Sequence, residues 1–203
     1  RNLKPWDPKS YWTYDASWAQ ASNTPFRLYK QNQHEGGISS PLIAHWPNGL
    51  KTKRGSITRQ PAHLIDFMAT FLELGNAKYP RQAGNRVIEP LEGKSLVPIF
   101  KNAERKGHEA LYFHFGTDRA LRQGKWKLVS AKKGKWELYD MSKDRTELID
   151  LAEKFPTKVE TMKGIWFDIA KNKERLNQNG LSPVKGVIKE LSFRKDTSNQ
   201  LNN

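Results

Sequence analysis

The sequence predicts an α/β fold that ends in a small antiparallel sheet covered by one helix, and three observations carry that expectation. A short apolar run, Pro41-Leu-Ile-Ala-His-Trp46, is closed by Pro47-Asn48-Gly49, as in a strand buried on both faces and ended by a turn. From Pro61, apolar residues recur at helical spacing as far as Gly75. Strand-like pieces at short spacing then occupy residues 110–139, and a second helical pattern opens at Pro156.

Taken in order, residues 1–22 are aromatic and polar without period, with Trp6, Tyr11, Trp12, Tyr14 and Trp18, which reads as a loop packed on a larger surface. The stretch from Asn23 to Trp46 sets Lys30 and His34 just before Gly36-Gly37 and the apolar run, an arrangement suited to holding an anionic group. A basic loop follows from Lys51 to Arg59. The helix after Pro61 carries its apolar face on Leu64, Ile65, Met68, Phe71 and Leu72, with Pro at its start and Gly75 just past its end. Residues 76–108 hold Pro80, Pro90, Pro98 and several glycines, so they read as a long connection with one apolar piece, Ser95 to Phe100. The strands Ala110–Phe115, Arg119–Arg122, Trp126–Val129 and Trp136–Tyr139 are separated by turn residues and fit an antiparallel meander. The helix from Pro156 would cover one side of that sheet with Val159, Met162, Ile165, Trp166 and Ile169. Beyond Lys171 the chain is basic, rich in Asn and Ser and nearly aperiodic, as expected of a loose tail.

Composition limits the class further. A length of 203 residues suits one domain or two small ones, and 7 Trp, 9 Phe and 6 Tyr are too many for a disordered chain. Charged residues at 28% and a mean hydropathy of −0.80 point to solvated segments as well. With 35 Lys and Arg against 21 Asp and Glu, the formal charge is +14, which favours polyanions, acidic membrane surfaces or anionic substrates. There is no cysteine, so the chain holds no disulfide, no thiolate metal site and no cysteine-derived catalytic group. No stretch approaches the roughly 18 apolar residues of a membrane span. The start, Arg-Asn-Leu-Lys-Pro-Trp, lacks a signal-peptide run and an initial Met, so the chain reads as a mature form or a fragment.

Several polar residues need weighing. His34 either hydrogen-bonds the adjacent Glu35 and orders the turn, or orients Lys30 or a ligand. His45 reads as a packed strand histidine, and Asp66 and Asp140 as capping or turn carboxylates. Arg119, Arg122, Lys125 and Lys127 surround Trp126, a pattern that could stack on and neutralise a nucleic acid. The alternation Lys-Trp-Lys-Leu-Val is also what a half-buried strand produces, its lysines in water and its Trp and Leu in the core. That reading is preferred, and no nucleic acid is expected.

Asn-Thr-Pro-Phe-Arg at 23–27, Lys30 with His-Glu-Gly-Gly-Ile, and Pro-Leu-Ile-Ala-His-Trp-Pro together resemble the late catalytic-domain segment of type I sulfatases, particularly arylsulfatases. His-Leu-Ile-Asp-Phe-Met-Ala-Thr at 63–70 and Leu-Glu-Gly-Lys-Ser-Leu at 91–96 resemble segments near the end of that family's large domain. Arg119-Ala-Leu-Arg-Gln-Gly-Lys-Trp-Lys-Leu-Val, Trp136-Glu-Leu-Tyr-Asp-Met and Asp144-Arg-Thr-Glu-Leu resemble its C-terminal sheet. The resemblance implies the end of an alkaline-phosphatase-like α/β domain at residues 1–108, a C-terminal subdomain at 109–171 and a tail at 172–203. It implies hydrolysis of a sulfate ester, carried by a formylglycine made from Cys or Ser in a Cys/Ser-x-Pro-x-Arg motif beside a calcium ion. Asn23-Thr-Pro-Phe-Arg has the Pro and Arg of that motif, but Asn cannot be oxidised to the aldehyde. The nucleophile and calcium ligands are therefore expected upstream of Arg1, and this polypeptide alone is expected to be inactive.

By the same resemblance Lys30 matches the lysine that contacts a sulfate oxygen, His34 supports it, and His114 reaches toward a substrate pocket bordered by the C-terminal subdomain. A lysine suits this task because it offers three donors where charge builds on departing oxygens. The implied partner is a sulfated small molecule or carbohydrate, and the implied location is periplasmic or secreted. A non-catalytic basic module that binds sulfated polysaccharide or nucleic acid is the alternative.

Overall fold

A computed structural model describes residues 15–174 together with Lys4, Asp7 and Lys9. The aromatic residues Trp6, Tyr11, Trp12 and Tyr14 and the tail from Arg175 onward lie outside the described residues. The elements in chain order are α1 (Ala16–Ser22), α2 (Glu35–Ile38), α3 (Asp66–Leu74), β1 (Gln82–Ala83), β2 (Arg86–Val87), α4 (Val97–Phe100), β3 (Leu111–Phe115), β4 (Asp118–Gln123), β5 (Trp126–Ser130), β6 (Glu137–Asp140) and α5 (Pro156–Lys173).

The expected meander is present as a four-stranded sheet in the order β3-β4-β5-β6, antiparallel throughout. Directly opposed residues share a face, so the register sorts the sheet into two sides. Tyr112, Leu121, Leu128 and Leu138 are opposed in turn across the strands. Their side packs on α5, where Leu121, Leu128 and Leu138 form one cluster with Val159, Met162, Trp166 and Ala170. Pro156 stands in the first turn of α5, where its missing N–H costs nothing. Each large side chain buried there stabilises by roughly 1.5–3 kcal/mol. The indole of Trp166 is fully buried and donates from Nε1 to the Phe113 carbonyl at 3.2 Å, which satisfies its one polar atom.

The other side of the sheet carries Phe113, Ala120 and Val129 beside Arg122, Lys127, Glu137 and Tyr139, by the same register. It is not open to water. Residues 26–39 lie across it, held by bonds from Arg27 to Tyr139, from His34 to Glu137 and from Lys127 to Glu35. These contacts cross position 108, where the sequence suggested a domain boundary. They also correct the expectation that the strand lysines face water, because Lys127 is completely buried. Strand alternation separates two faces but does not say whether a second layer covers the outer one.

Three further differences have local causes. Residues 41–46 form no regular secondary structure and pair with no strand among the described residues, and every one of them is exposed, Ile43 at 89%. A strand buried on both faces needs neighbours on its edges, and none is present there. Helix α3 starts at Asp66, later than Pro61 suggests, because the Asp66 carboxylate accepts from the His63 amide at 2.9 Å and fixes the entry. Its apolar face is exposed at Leu64, Met68 and Phe71, while Asp66 and Thr70 are buried. The connection 76–108 contains the hairpin β1-β2, turned at Gly84 and Asn85 with Gly84 at φ 57°.

Asp66 organises this part of the chain. Its carboxylate accepts from the Lys94 amide (2.9 Å), from Arg105 Nη2 (2.9 Å) and from His108 Nε2 (2.6 Å) in addition to His63. Burial pushes its carboxyl up, but the amides of Lys94 and His63 and then His108 and Arg105 more than offset this and hold it below the ordinary range. Among the described residues no helix is long and apolar enough to cross a membrane.

Lys127→Met leaves Glu35 and Glu147 buried without their cation. The expected result is a loss of about 3–5 kcal/mol in unfolding free energy, read as a lower urea midpoint. A midpoint equal to that of the unsubstituted protein contradicts the role given to this contact.

Candidate functional site: the lysine loop

The loop that carries Lys30 is built from short-range constraints. Asn23 caps α1, and its Nδ2 donates to the Leu28 carbonyl at 3.0 Å and to the Gly36 carbonyl at 2.9 Å. The Gly36 amide donates to the Arg27 carbonyl at 3.0 Å, and Asn32 donates from N and from Nδ2 to the Tyr29 carbonyl. Residues 27–32 thus fold back on Gly36 and Gly37. The fit leaves no room for side chains: a Cβ on Gly36 would lie 2.2 Å from the Leu28 oxygen, and one on Gly37 would lie 2.0 Å from the Asn32 oxygen. Leu28 and Gln31 take φ values of 63° and 81°, in the left-handed region. Lys30 stands between these two bends, exposed at the tip.

The base of the loop is tied to the sheet by an ionic cluster. Lys127 Nζ lies 2.8 Å from Glu35 Oε1 and 2.7 Å from Glu147 Oε1, with all three residues buried. The Glu35 amide donates to Glu147 Oε2 at 2.8 Å, so Glu35 is gripped by side chain and main chain together. Arg145 Nη2 stands 3.5 Å from Glu35 Oε2 and donates to Ser39 Oγ at 3.0 Å. Burial pushes the Glu35 carboxyl up, and Lys127, with Arg122 and Arg145 behind it, outweighs this and holds it below its ordinary value.

A second tie runs through His34. Its Nε2 donates to Glu137 Oε2 at 3.0 Å, so the ring is held by the sheet and not by the adjacent Glu35. Nδ1 is buried with no hydrogen-bond partner among the described residues. Tyr139 also donates to Glu137 Oε2, at 2.5 Å, and Arg27 Nη1 donates to Tyr139 Oη at 2.9 Å and to the Glu147 carbonyl at 2.7 Å. Hydrogen bonding from His34, against burial and with help from Tyr139 and Arg27, lowers the Glu137 carboxyl to about 2. Burial and the Glu137 carboxylate push the Tyr139 phenol upward.

The structure brings Lys30 and His34 into one loop on one side of the sheet. It places His114 on the other. There the ring of His114 packs edge-on against Trp166 at 5.4 Å, with Nδ1 at 2.7 Å from Glu174 Oε2 and Nε2 at 3.1 Å from the Gly116 carbonyl. Sequence reading missed Arg27, Lys127, Arg145 and Glu147, which hold the loop. Lys127 had one visible sign, a charge inside the strand Trp126–Ser130 between Trp126 and Leu128; Glu147, after β6 at φ 58°, had none.

The implied catalytic groups do not fit these residues. There is no cysteine to give a formylglycine, and Asn23 spends its side chain bracing the loop. Of the buried carboxylates, Glu35 and Glu147 are committed to Lys127, Asp66 to Arg105 and His108, Asp118 to the Lys132 amide and Asp140 to Lys125, and the half-buried Glu137 is committed to His34. Among the described residues no group of three or more His, Asp or Glu is disposed to hold a metal ion.

The meander, the helix over one of its sides and residues 26–39 over the other all fall within a single family match. The chain belongs to the family described as N-sulphoglucosamine sulphohydrolase, C-terminal, which matches residues 26–175. It is 37% identical over 111 residues to the steryl-sulfatase of Mus musculus, covering 54% of this chain and 16% of that protein. It is 33% identical over 96 residues to a sulfatase of Formosa agariphila, covering 46% of this chain and 16% of that protein. The chain therefore spans about one-sixth of these relatives. Among solved structures, Ps i-CgsB is similar with a TM-score of 0.58 and 21% identity, over 87% of this chain and 38% of that one. A Bacteroides thetaiotaomicron protein of glycosaminoglycan metabolism gives a TM-score of 0.54 and 19% identity, over 69% of this chain and 31% of that one. These two likenesses show the fold.

Acid should loosen the loop in a defined window. The folded-state value of Glu137 lies below its ordinary 4.5, so its stabilising contribution is complete above that pH and is lost as pH falls from about 4.5 to about 2. Unfolding midpoints measured across this range should drop in the unsubstituted protein and drop less in Glu137→Gln; equal slopes in the two would exclude Glu137 as the source.

Proposed function

We propose that this chain is the C-terminal part of a sulfuric ester hydrolase and supplies one wall of its site, with Lys30 as the group that contacts a sulfate oxygen. The observation that carries this reading is the placement of Lys30 within the family-matched region. It is the exposed tip of a loop whose backbone is clamped on Gly36 and Gly37 and whose base is tied to the sheet. As the S–O bond of a sulfate ester breaks, charge grows on the departing oxygen and on the sulfonyl oxygens. A donor already fixed where that charge develops needs little reorganisation at that moment, which is the source of its effect.

The nucleophile and the metal ligands belong, in this reading, to sequence outside this chain. The exposed apolar residues Leu42, Ile43 and Trp46 and the open face of α3 mark the side on which the remainder of the catalytic domain packs. An unpaired segment and an uncovered apolar helix face are what an α/β domain leaves when its other strands are removed. His34 acts by holding the loop to Glu137, and His114 by joining β3 to the end of α5. The substrate is a sulfated small molecule or carbohydrate. Two members of the basic cluster behind the nucleic-acid reading are engaged within the fold: Lys127 is buried, and the Arg119 guanidinium stacks over Trp136 at 4.8 Å.

In the longer protein Lys30→Ala should lower kcat for an aryl sulfate by about 10²–10³-fold with an unchanged Tm. Unchanged kinetics would remove Lys30 from the site. The present chain, purified alone, should release no sulfate from the same substrate, and measurable turnover would overturn the assignment of the nucleophile to sequence outside it.

A further inference from the structure

A lysine with no exposed surface in the middle of a strand is costly unless every charge around it is answered. Lys127 meets that condition only through residues from other parts of the chain, Glu35 in α2 and Glu147 in the turn after β6. Neither carboxylate belongs to the sheet. A core selected for stability alone would be served as well by apolar residues in place of Lys127, Glu35 and Glu147 together, since buried ion pairs rarely stabilise more than apolar residues of equal volume. What the charge adds is a single geometry. An apolar trio would hold α2 without direction, whereas Lys127 at 2.8 Å from Glu35 and 2.7 Å from Glu147 ties Glu35 to one place over β5.

That placement propagates to Lys30 through backbone contacts. Glu35 is followed directly by Gly36 and Gly37, which lie so close to the Leu28 and Asn32 carbonyls that a Cβ would stand 2.2 and 2.0 Å from their oxygens. Gly36 also carries two of the bonds that fold this stretch, its amide donating to the Arg27 carbonyl and its oxygen accepting from Asn23 Nδ2. If Glu35 shifts, the support under residues 28–32 shifts with it, and Lys30 lies in that stretch.

We propose that Lys127 is a positioning residue for Lys30, acting through its buried ion pair with Glu35 and the Gly36-Gly37 support of the lysine loop. The inference rests on the reading of Lys30 as the sulfate-contacting group. Misplacing such a group by about 1 Å lowers turnover by on the order of 10²-fold, and loss of a supporting partner typically lowers activity by about 10–100-fold.

The test is a kinetic cycle in the longer, active protein, at a temperature where circular dichroism shows each variant folded. Lys127→Met should lower kcat by about 10–100-fold with a smaller change in KM. In a Lys30→Ala background the same substitution should change kcat by less than about 2-fold, because a residue that acts only through Lys30 has nothing left to position. Leu128→Ala, on the α5 side of the same strand, destabilises the sheet and should leave kcat within about 2-fold of the starting protein. Where Lys127→Met does not fold, Glu35→Gln, which keeps the shape of the side chain, is read in the same way. A full kcat loss persisting in the Lys30→Ala background, or no loss in its absence, overturns the proposal. Unchanged kcat in Lys30→Ala alone overturns the reading of Lys30 itself, a result visible without any Lys127 variant.

Discussion

The contact on which the rest of the structure depends is the burial of Lys127 between Glu35 and Glu147. It turns the outer face of the meander from a solvated surface into an interior one. Without it the loop would be held mainly by Arg27 and His34, through Tyr139, Glu137 and the Glu147 carbonyl. With it, the layer of residues 26–39 closes over the sheet as α5 does on the other side. The two layers are held by different physics: α5 by apolar burial against Leu121, Leu128 and Leu138, the loop by charge pairs and hydrogen bonds. Apolar burial tolerates small slides, whereas charge pairs at 2.7–2.8 Å do not. A surface that must present one lysine in one place is better served by the second.

Asp66 plays a comparable part for residues 61–108. Four donors from His63, Lys94, Arg105 and His108 converge on one buried carboxylate, so this segment is organised around a polar centre. Thr70 extends it, donating to the Asp66 carbonyl and accepting from the Leu96 amide at 2.9 Å. The outcome is a helix that buries its polar side and exposes its apolar one. Such an inversion leaves the apolar side chains of Leu64, Met68 and Phe71 together on the surface of the described residues.

Much of this was legible in the sequence, for physical reasons that differ from element to element. The strands β3 to β6 fall within a residue or so of the expected ranges, because turn residues at Gly116, Gly124 and Gly134 interrupt an alternating pattern that the sheet obeys. Helix α5 buries Val159, Met162 and Trp166 as its period requires. Residues 41–46 read as a buried strand because an apolar run records what a segment is suited to, while its burial depends on neighbours. Lys127 read as solvated because alternation is blind to a second layer. The partner of His34 was missed for the same reason, Glu137 lying 103 positions away. The loop bearing Lys30 was visible as a motif, but the clasp that holds it was not, since ion pairs between distant segments leave no local pattern.

The account stands or falls on whether the base of the lysine loop is part of the rigid core. Hydrogen exchange at the Glu35, Gly36 and Gly37 amides measures this directly. Their acceptors are Glu147 Oε2, the Arg27 carbonyl and the His34 carbonyl. If the buried pair fixes the loop, these amides exchange as slowly as those of the central strand β5. Exchange at the rate of an open surface loop would show that the clasp does not hold, and would contradict the account.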